Sequence, residues 1–242
     1  MSVQHEVKEA KKSSDVASKL RLYREIFMHT VQRHYWTDIE QGIIPKNSKI
    51  ARILLYSTDE ALSNVKQSLD DWQVVFQNLD HDNKFMQRLC STWPLRLLPF
   101  LQNFFPSAHT VDMWKIYASL SFLKAHKCAQ IQVPTHFGDD CVLNEIVQEQ
   151  VARESAAQCD KAEAVLKIMP KDLVDLGKTR MMAGKLLRLQ HEQVESLKEE
   201  GILHERGAGQ LFHQIHRVQR GVAYAALSSD KKTFLADDGE EH

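Results

Sequence analysis

Few residues in this chain have the types and spacing that chemistry requires. Gly177-Lys178-Thr179 has the ending of a phosphate-binding loop, yet the position five before Gly177 is Asp172, where that loop needs glycine, and no strand precedes it. A P-loop is excluded. His191-Glu192 opens like a zinc-protease helix, but the position four after His191 is Glu195, so the two-imidazole face is missing. His213 and His216 sit three apart with His204 nearby and no carboxylate-rich face. Stable metal sites want three or four converging ligands, so these read as solvated or partly packed side chains. The four cysteines, Cys90, Cys128, Cys141 and Cys159, contain no C-x-x-C pair and read as reduced, structural thiols. No G-x-S-x-G elbow occurs, and no serine or cysteine has a sequence-local histidine and acid to activate it. A triad assembled in space would leave no such mark. The residues give no positive ground for catalysis, a cofactor or a metal, and the chain reads as a non-enzyme.

Composition sets the frame for the elements that would position any site. The chain has 242 residues, 43% hydrophobic and 26% charged, the make-up of a globular domain. Nine glycines and six prolines are too few to punctuate a many-stranded β protein. An all-α fold follows. Lys and Arg number 31 against 32 Asp and Glu, so no overall field attracts phosphate backbones, and nucleic acid is not an expected partner. The start, MSVQHEVKEAKKSSD, lacks the apolar core of a secretory signal. The richest apolar window, Trp93 to Pro106, is broken by Arg96, Gln102 and Asn103, so it does not read as a membrane span. That aromatic window suits core packing first, and a membrane interface or partner second. The chain is expected to face a reducing cytoplasm, with only peripheral or tethered membrane contact.

Hydrophobic spacing predicts a multi-helix bundle of antiparallel hairpins. Residues 1–18 read as a polar, basic helical approach, 19–225 as a single all-α domain, and 226–242 as a polar, acidic, disordered tail. Leu20, Tyr23, Phe27 and Val31 mark a first helix with Arg21, Arg24, Glu25 and Arg33 off its apolar stripe. Gly42 is placed to cap it in a left-handed conformation, with Pro45 barring continuation. A second helix keeps its period from Ala51 through Leu69 to Asp70 and Asp71, where Trp72 begins a bulky cluster. Trp93-Pro94 and Leu98-Pro99 predict two short, kinked pieces near 83–106. Helices follow from Val111 to Val133-Pro134, from Asp139 or Asp140 to Ile168, with Val142, Ile146, Val147, Val151, Ala157, Ala164 and Val165 on the apolar face, and from Pro170 to Gly201. A final helix carries Ala208, Leu211, Phe212, Ile215, Val218 and Val222. Glu40-Gln41-Gly42-Ile43-Ile44 and Glu199-Glu200-Gly201-Ile202-Leu203 share one design: a polar last turn, a glycine cap, and two aliphatics that dock back. By this reading Tyr35 and Trp36 anchor the first helix on the second, Gly42 and Gly201 cap, and Trp72 and His126 sit in or beside the core.

A series of short blocks carries a resemblance. These are Tyr35-Trp36, Glu40 to Ile44, Leu54 to Leu62 and Asp71-Trp72, then Ser121 to His126, Val151 to Ser155, Lys178 to Arg180 and Leu197 to Leu203. In that order, over residues 20 to 220, they resemble the cytoplasmic helical domain of plant-type plasma-membrane sodium/proton exchangers, the salt-overly-sensitive class. The stretch from Asp80 to Asp112 matches poorly. The resemblance implies a regulatory and dimerisation domain at the cytoplasmic face of the plasma membrane, partnered by an exchanger's transmembrane part and by a second copy. The ion-coordinating acids of such exchangers lie in membrane helices that this sequence lacks, so by itself it is not expected to move ions. The cyclic-nucleotide-binding-like domain that usually follows is also missing, and the chain reads as a fragment, a stand-alone product or half of a split exchanger. The alternative is a stand-alone soluble helical scaffold or adaptor.

Overall fold

The computed structural model describes residues 2–80, 108–136 and 142–227. Among these the fold is all-helical: α1 (Ser2–Glu40), α2 (Lys49–Ser63), α3 (71–80), α4 (Ala108–His136), α5 (Val142–Ile168), α6 (Lys171–Glu199) and α7 (Glu205–Leu227). The polar approach and the first amphipathic segment form one continuous helix of 39 residues, about 58 Å long. The kinked pieces expected near 83–106, the capping Asp139 and Asp140, and residues 228–242 of the tail lie outside the described residues.

The core is built around α4, which packs against α1, α2, α5, α6 and α7. Its buried side chains, among them Met113, Ile116, Tyr117, Phe122, Ala125 and Ala129, run round most of its circumference, as a central helix requires. The α1 stripe of Tyr23, Phe27, Met28, Val31, Tyr35 and Ile39 lies against it in the same cluster, with α2 contributing Ile50, Ile53 and Leu54 and α3 contributing Trp72, Val75 and Leu79. Ser48 caps α2, its hydroxyl accepting from the Ala51 amide at 3.1 Å.

Three features depart from the periodic reading. α2 stops at Ser63, with Asn64 turning its amide onto Glu60 and Ala61 carbonyls, and residues 64–70 form a connection before α3 begins. The helical period of Val65 and Leu69 survives only because both are buried within that connection. α4 runs two residues past Pro134 to His136, since a proline in the last turn removes one helical donor, and the Thr135 hydroxyl donates to the Gln132 carbonyl at 2.6 Å. α5 buries Val147, Val151, Ser155, Gln158, Cys159, Ala162 and Val165, while Ile146, Ala157, Ala164 and Ile168 face outward. Its inner face therefore contains polar residues that a hydropathy pattern assigns to solvent.

α6 and α7 pack on each other around a smaller cluster of Val194, Ala208 and Ile215, with Leu187, Leu203 and Phe212 beside it. Both glycine caps take the expected form. Gly42 has φ +69° and Gly201 φ +72°. The Ile43 amide donates to the Asp38 carbonyl at 2.9 Å and Gly42 to Ile39 at 3.1 Å; Ile202 donates to Leu197 at 3.0 Å and Gly201 to Lys198 at 3.1 Å. These are two copies of the Schellman motif. Gly177 serves differently: a Cβ there would stand 2.7 Å from the Ile116 Cγ2 methyl, so glycine sets how closely α6 approaches α4.

These two kinds of glycine predict different costs. No atom lies within 4 Å of a Cβ built at Gly201, so Gly201→Val carries only the backbone penalty of a β-branched residue at positive φ, about 1–2 kcal/mol in denaturant unfolding. Gly177→Ala should be destabilising despite its better helix propensity, because overpacking against a stiff β-branched neighbour costs about 1–3 kcal/mol. An unchanged midpoint for Gly201→Val would refute the cap assignment, and a stabilised Gly177→Ala would refute the close crossing.

Candidate functional site

Two polar clusters stand out among the described residues. The first is sealed in the core. His126 of α4 and Asp71 of α3 are both fully buried, with Nε2 of the imidazole 2.9 Å from Oδ2 of the carboxylate. The contact is close, but the ring N–H points off the line to the oxygen, so neither Asp71 oxygen receives a well-aligned hydrogen bond among the described residues. On the other side, His126 Nδ1 lies 2.9 Å from the Ser155 hydroxyl of α5, and Gln130 Nε2 donates to that same hydroxyl at 2.8 Å.

The Gln130 amide nitrogen donates to Ser155 Oγ, whose second lone pair and single hydrogen allow it either to accept from His126 Nδ1 or to donate to it. At the other nitrogen the Asp71 carboxylate, 2.9 Å away, calls for a ring hydrogen on Nε2. The imidazole is held on its faces too: Phe122 stacks on it at 4.0 Å between centroids, and Phe27 meets it edge-on at 5.7 Å. Trp72 packs edge-on against Phe122 at 4.9 Å. Phe27, Trp72, Phe122 and His126 thus tie α1, α3 and α4 into one contact, and Ser155 adds α5.

Serine, histidine and aspartate in series have the composition of a hydrolytic triad, but not its setting. All three are fully buried, and neither of the cavities described here reaches them. The surrounding groups are likewise held neutral. Tyr35 is completely buried, and burial, reinforced by the charges of Asp71, Cys159 and Asp38, raises its pKa well above the usual phenol value. Burial pushes the Cys159 thiol up to about 11, despite the nearby Lys127.

Two further polar grips brace this hub. Arg24, expected off the apolar stripe, is 5% exposed, because a carboxylate from α5 meets it: its Nε donates to Glu154 Oε2 at 2.9 Å and its Nη2 to the other oxygen. Arg24 Nη1 also donates to the carbonyls of Val65 and Lys66, Glu154 accepts from the Leu69 amide, and Gln158 donates to the Leu69 carbonyl. α1 and α5 therefore satisfy the backbone of the 64–70 connection, which is what lets α2 end where its hydrophobic period does not. Lys124 of α4 pairs with Asp38 of α1, whose carbonyl also receives the Gly42 cap bonds.

The second cluster is open. Where the Gly42 cap meets α6 and α7, a cleft of about 400 Å³ is lined by Lys46, Arg180, Arg188 and Arg220, with Glu40 as the carboxylate on its wall. Gly184 brings α6 close to the cap: a Cβ at that position would lie 3.8 Å from the Gly42 carbonyl oxygen. Tyr117 lines the same cleft, and burial pushes its phenol up to about 12 while the charge of Arg180 pulls the other way. His191 and His216 stand side by side there, their centroids 5.3 Å apart.

Of the residues singled out in the sequence, Tyr35, Trp72 and His126 come together in the hub, and Gly42 borders the cleft. Gly201 caps α6 away from both. Trp36 is a correction: it is 46% exposed, one position round the helix from the Tyr35 stripe, and does not anchor α1. Asp71 marked the end of the second helix's period and, with Glu154 and Ser155, fell within the resembling blocks; Arg24 was read only as lying off the apolar stripe, and Gln130 was not singled out; their roles depend on partners far along the chain.

No family model matches the chain. It is 26% identical over 203 residues to sodium/hydrogen exchanger 7 of Arabidopsis thaliana, covering 84% of this chain and 17% of that protein. It is 28% identical over 181 residues to sodium/hydrogen exchanger 8 of the same plant, covering 73% of this chain and 22% of that protein. The chain is thus related to plant sodium/hydrogen exchangers while spanning about a fifth of their length. No helix among the described residues is long and apolar enough to cross a membrane.

The hub geometry predicts a coupled energetic response. His126→Leu and Asp71→Leu should each cost about 3–5 kcal/mol in denaturant unfolding, since each leaves a buried polar partner uncompensated. The double variant should cost less than the sum, because both partners leave together. Strict additivity would contradict the pairing. Alkaline titration gives a separate check. The folded Cys159 thiol ionises at about 11 against an ordinary 9.0, so above pH 9 the unfolded chain loses its proton first and stability falls as pH rises. Unfolding free energy should drop between pH 9 and 11, with a share of about 2 kcal/mol missing in Cys159→Ala. The same decline in both proteins would place Cys159 in a solvated setting.

Proposed function

We propose that the chain acts as the cytoplasmic regulatory and dimerisation domain of a sodium/proton exchanger of the salt-overly-sensitive class, at the cytoplasmic face of the plasma membrane. The observation that carries the reading is the length of the match: it extends over 203 residues of a 242-residue chain, and not over one short motif. Ion translocation would fall to membrane-spanning helices of the exchanger, and this chain would act on them by packing and shifts of population, not by bond chemistry.

The fold suits that role. A hub that ties α1, α3, α4 and α5 through directional bonds makes a stiff body, and a stiff body passes displacement from one end to another without dissipating it in side-chain rearrangement. The 39-residue α1 gives that body a long lever whose cap end bears the cleft.

Light scattering after size exclusion, combined with co-purification on the detergent-solubilised transmembrane part of the Arabidopsis exchanger 7, tests this directly. The expected result is a mass near twice 27.9 kDa and retention with the membrane part. A chain that stays monomeric and is not retained would overturn the proposal and leave a stand-alone helical scaffold as the better reading.

A further inference from the structure

The open cleft has no part in the packing role, yet it is chemically specific. In a chain of net charge −1, four cations converge there from three elements: Lys46 from the α1–α2 connection, Arg180 and Arg188 from α6, and Arg220 from α7. Arg180, Gly184 and Arg188 fall at successive i, i+4 positions, so they share one face of α6, with the glycine between them admitting the Gly42 cap as the floor. Arg188 is bridged to Glu192 at 2.8 Å, whereas Lys46 and Arg220 form no ion pair among the described residues.

The opposing charge on the lining is a single carboxylate, with Glu192 paired to Arg188 beside it. Glu40 is the carboxylate on the wall, and the negative end of the α1 dipole is quenched by cap amides bonded to the Asp38 and Ile39 carbonyls. His191 adds a donor or acceptor: its Nδ1 is buried and forms no hydrogen bond among the described residues, with Glu195 4.0 Å away. Ile43, Pro45, Tyr117 and Val222 supply apolar wall. A volume of about 400 Å³ falls within the range of about 300–1,000 Å³ that small-molecule sites occupy.

We infer that this cleft is a binding site for a phosphoryl-bearing anion, its phosphates held between the guanidinium groups of Arg180, Arg188 and Arg220 and its ring or glycerol part laid on the Tyr117 wall. Guanidinium forks from separate helices match the tetrahedral array of phosphate oxygens, which a single carboxylate ligand would not fill. The chemistry is shared by a phosphoinositide headgroup and by a soluble polyphosphate, and it stands independently of the exchanger reading.

Calorimetric titration of the full chain with inorganic pyrophosphate tests the site, alongside flotation with phosphatidylcholine vesicles doped with phosphatidylinositol 4,5-bisphosphate. Pyrophosphate should bind saturably. Arg180→Gln with Arg220→Gln should weaken it at least about tenfold, as loss of charge-assisted bonds implies. Lys127→Gln with Lys198→Gln, which changes net charge equally outside the cleft, should leave it within about twofold. Glu40→Gln removes only the opposing charge and should tighten binding, which separates a charge effect from a folding defect. Vesicle capture that pyrophosphate competes away identifies a lipid headgroup, and pyrophosphate binding without capture identifies a soluble ligand; both support the site. Absence of saturable pyrophosphate binding, equal loss in the control pair, no tightening in Glu40→Gln, or vesicle capture that pyrophosphate does not relieve would overturn it.

Discussion

An imidazole shut away from water, with a carboxylate at one nitrogen and a hydroxyl at the other, constrains everything around it. His126 cannot leave its position without stranding Asp71 or Ser155 in an apolar interior, and a stranded buried polar group costs far more than a formed bond yields. Three helices are therefore placed relative to one another by directional contacts at a single point, and Phe27 adds the fourth. Apolar packing alone would tolerate sliding or rotation of α3 and α5 on α4. The hydrogen-bonded series Gln130–Ser155–His126, with Asp71 in close contact at its end, restricts the arrangement to one that keeps these groups together.

The outer elements depend on this centre in turn. Because α3 is fixed through Asp71 and Trp72, the chain between α2 and α3 must cross a buried region where its carbonyls and amides need partners, and Arg24, Glu154 and Gln158 provide them. Because α1 is fixed through Phe27 and Tyr35, its end falls at a defined place, where the Gly42 cap meets Gly184 of α6. The cationic cleft is the consequence of that meeting. A body whose interior is this determined, and whose open chemistry lies at the junction of two of its parts, suits the regulatory role proposed above.

What the sequence revealed and what it concealed follow from the range of the interactions. The glycine caps were legible because every bond in them lies within six residues, and the composition of the last turn states the design. The α1 stripe was legible because Tyr23, Phe27, Val31, Tyr35 and Ile39 hold one phase; Trp36 was misplaced by its residue type when its phase already put it outside. The end of α2 was hidden because the side chains that stabilise the break come from 41, 85 and 89 positions away. The inner face of α5 was hidden for the opposite reason, since Ser155 and Gln158 look like solvent-facing residues until their partners are known. The blocks behind the resemblance hold Asp71, His126, Glu154 and Ser155, so the polar hub was in view as a pattern while its geometry was not.

The account turns on His126 being sealed in the hub with an imidazole hydrogen on Nε2, towards Asp71. Long-range 15N–1H correlation of the histidine rings in the folded chain reads this directly. The account predicts for His126 a pyrrole-type Nε2 whose hydrogen faces Asp71 and exchanges slowly with solvent. A pyridine-type Nε2, or rapid exchange of its hydrogen, would contradict it.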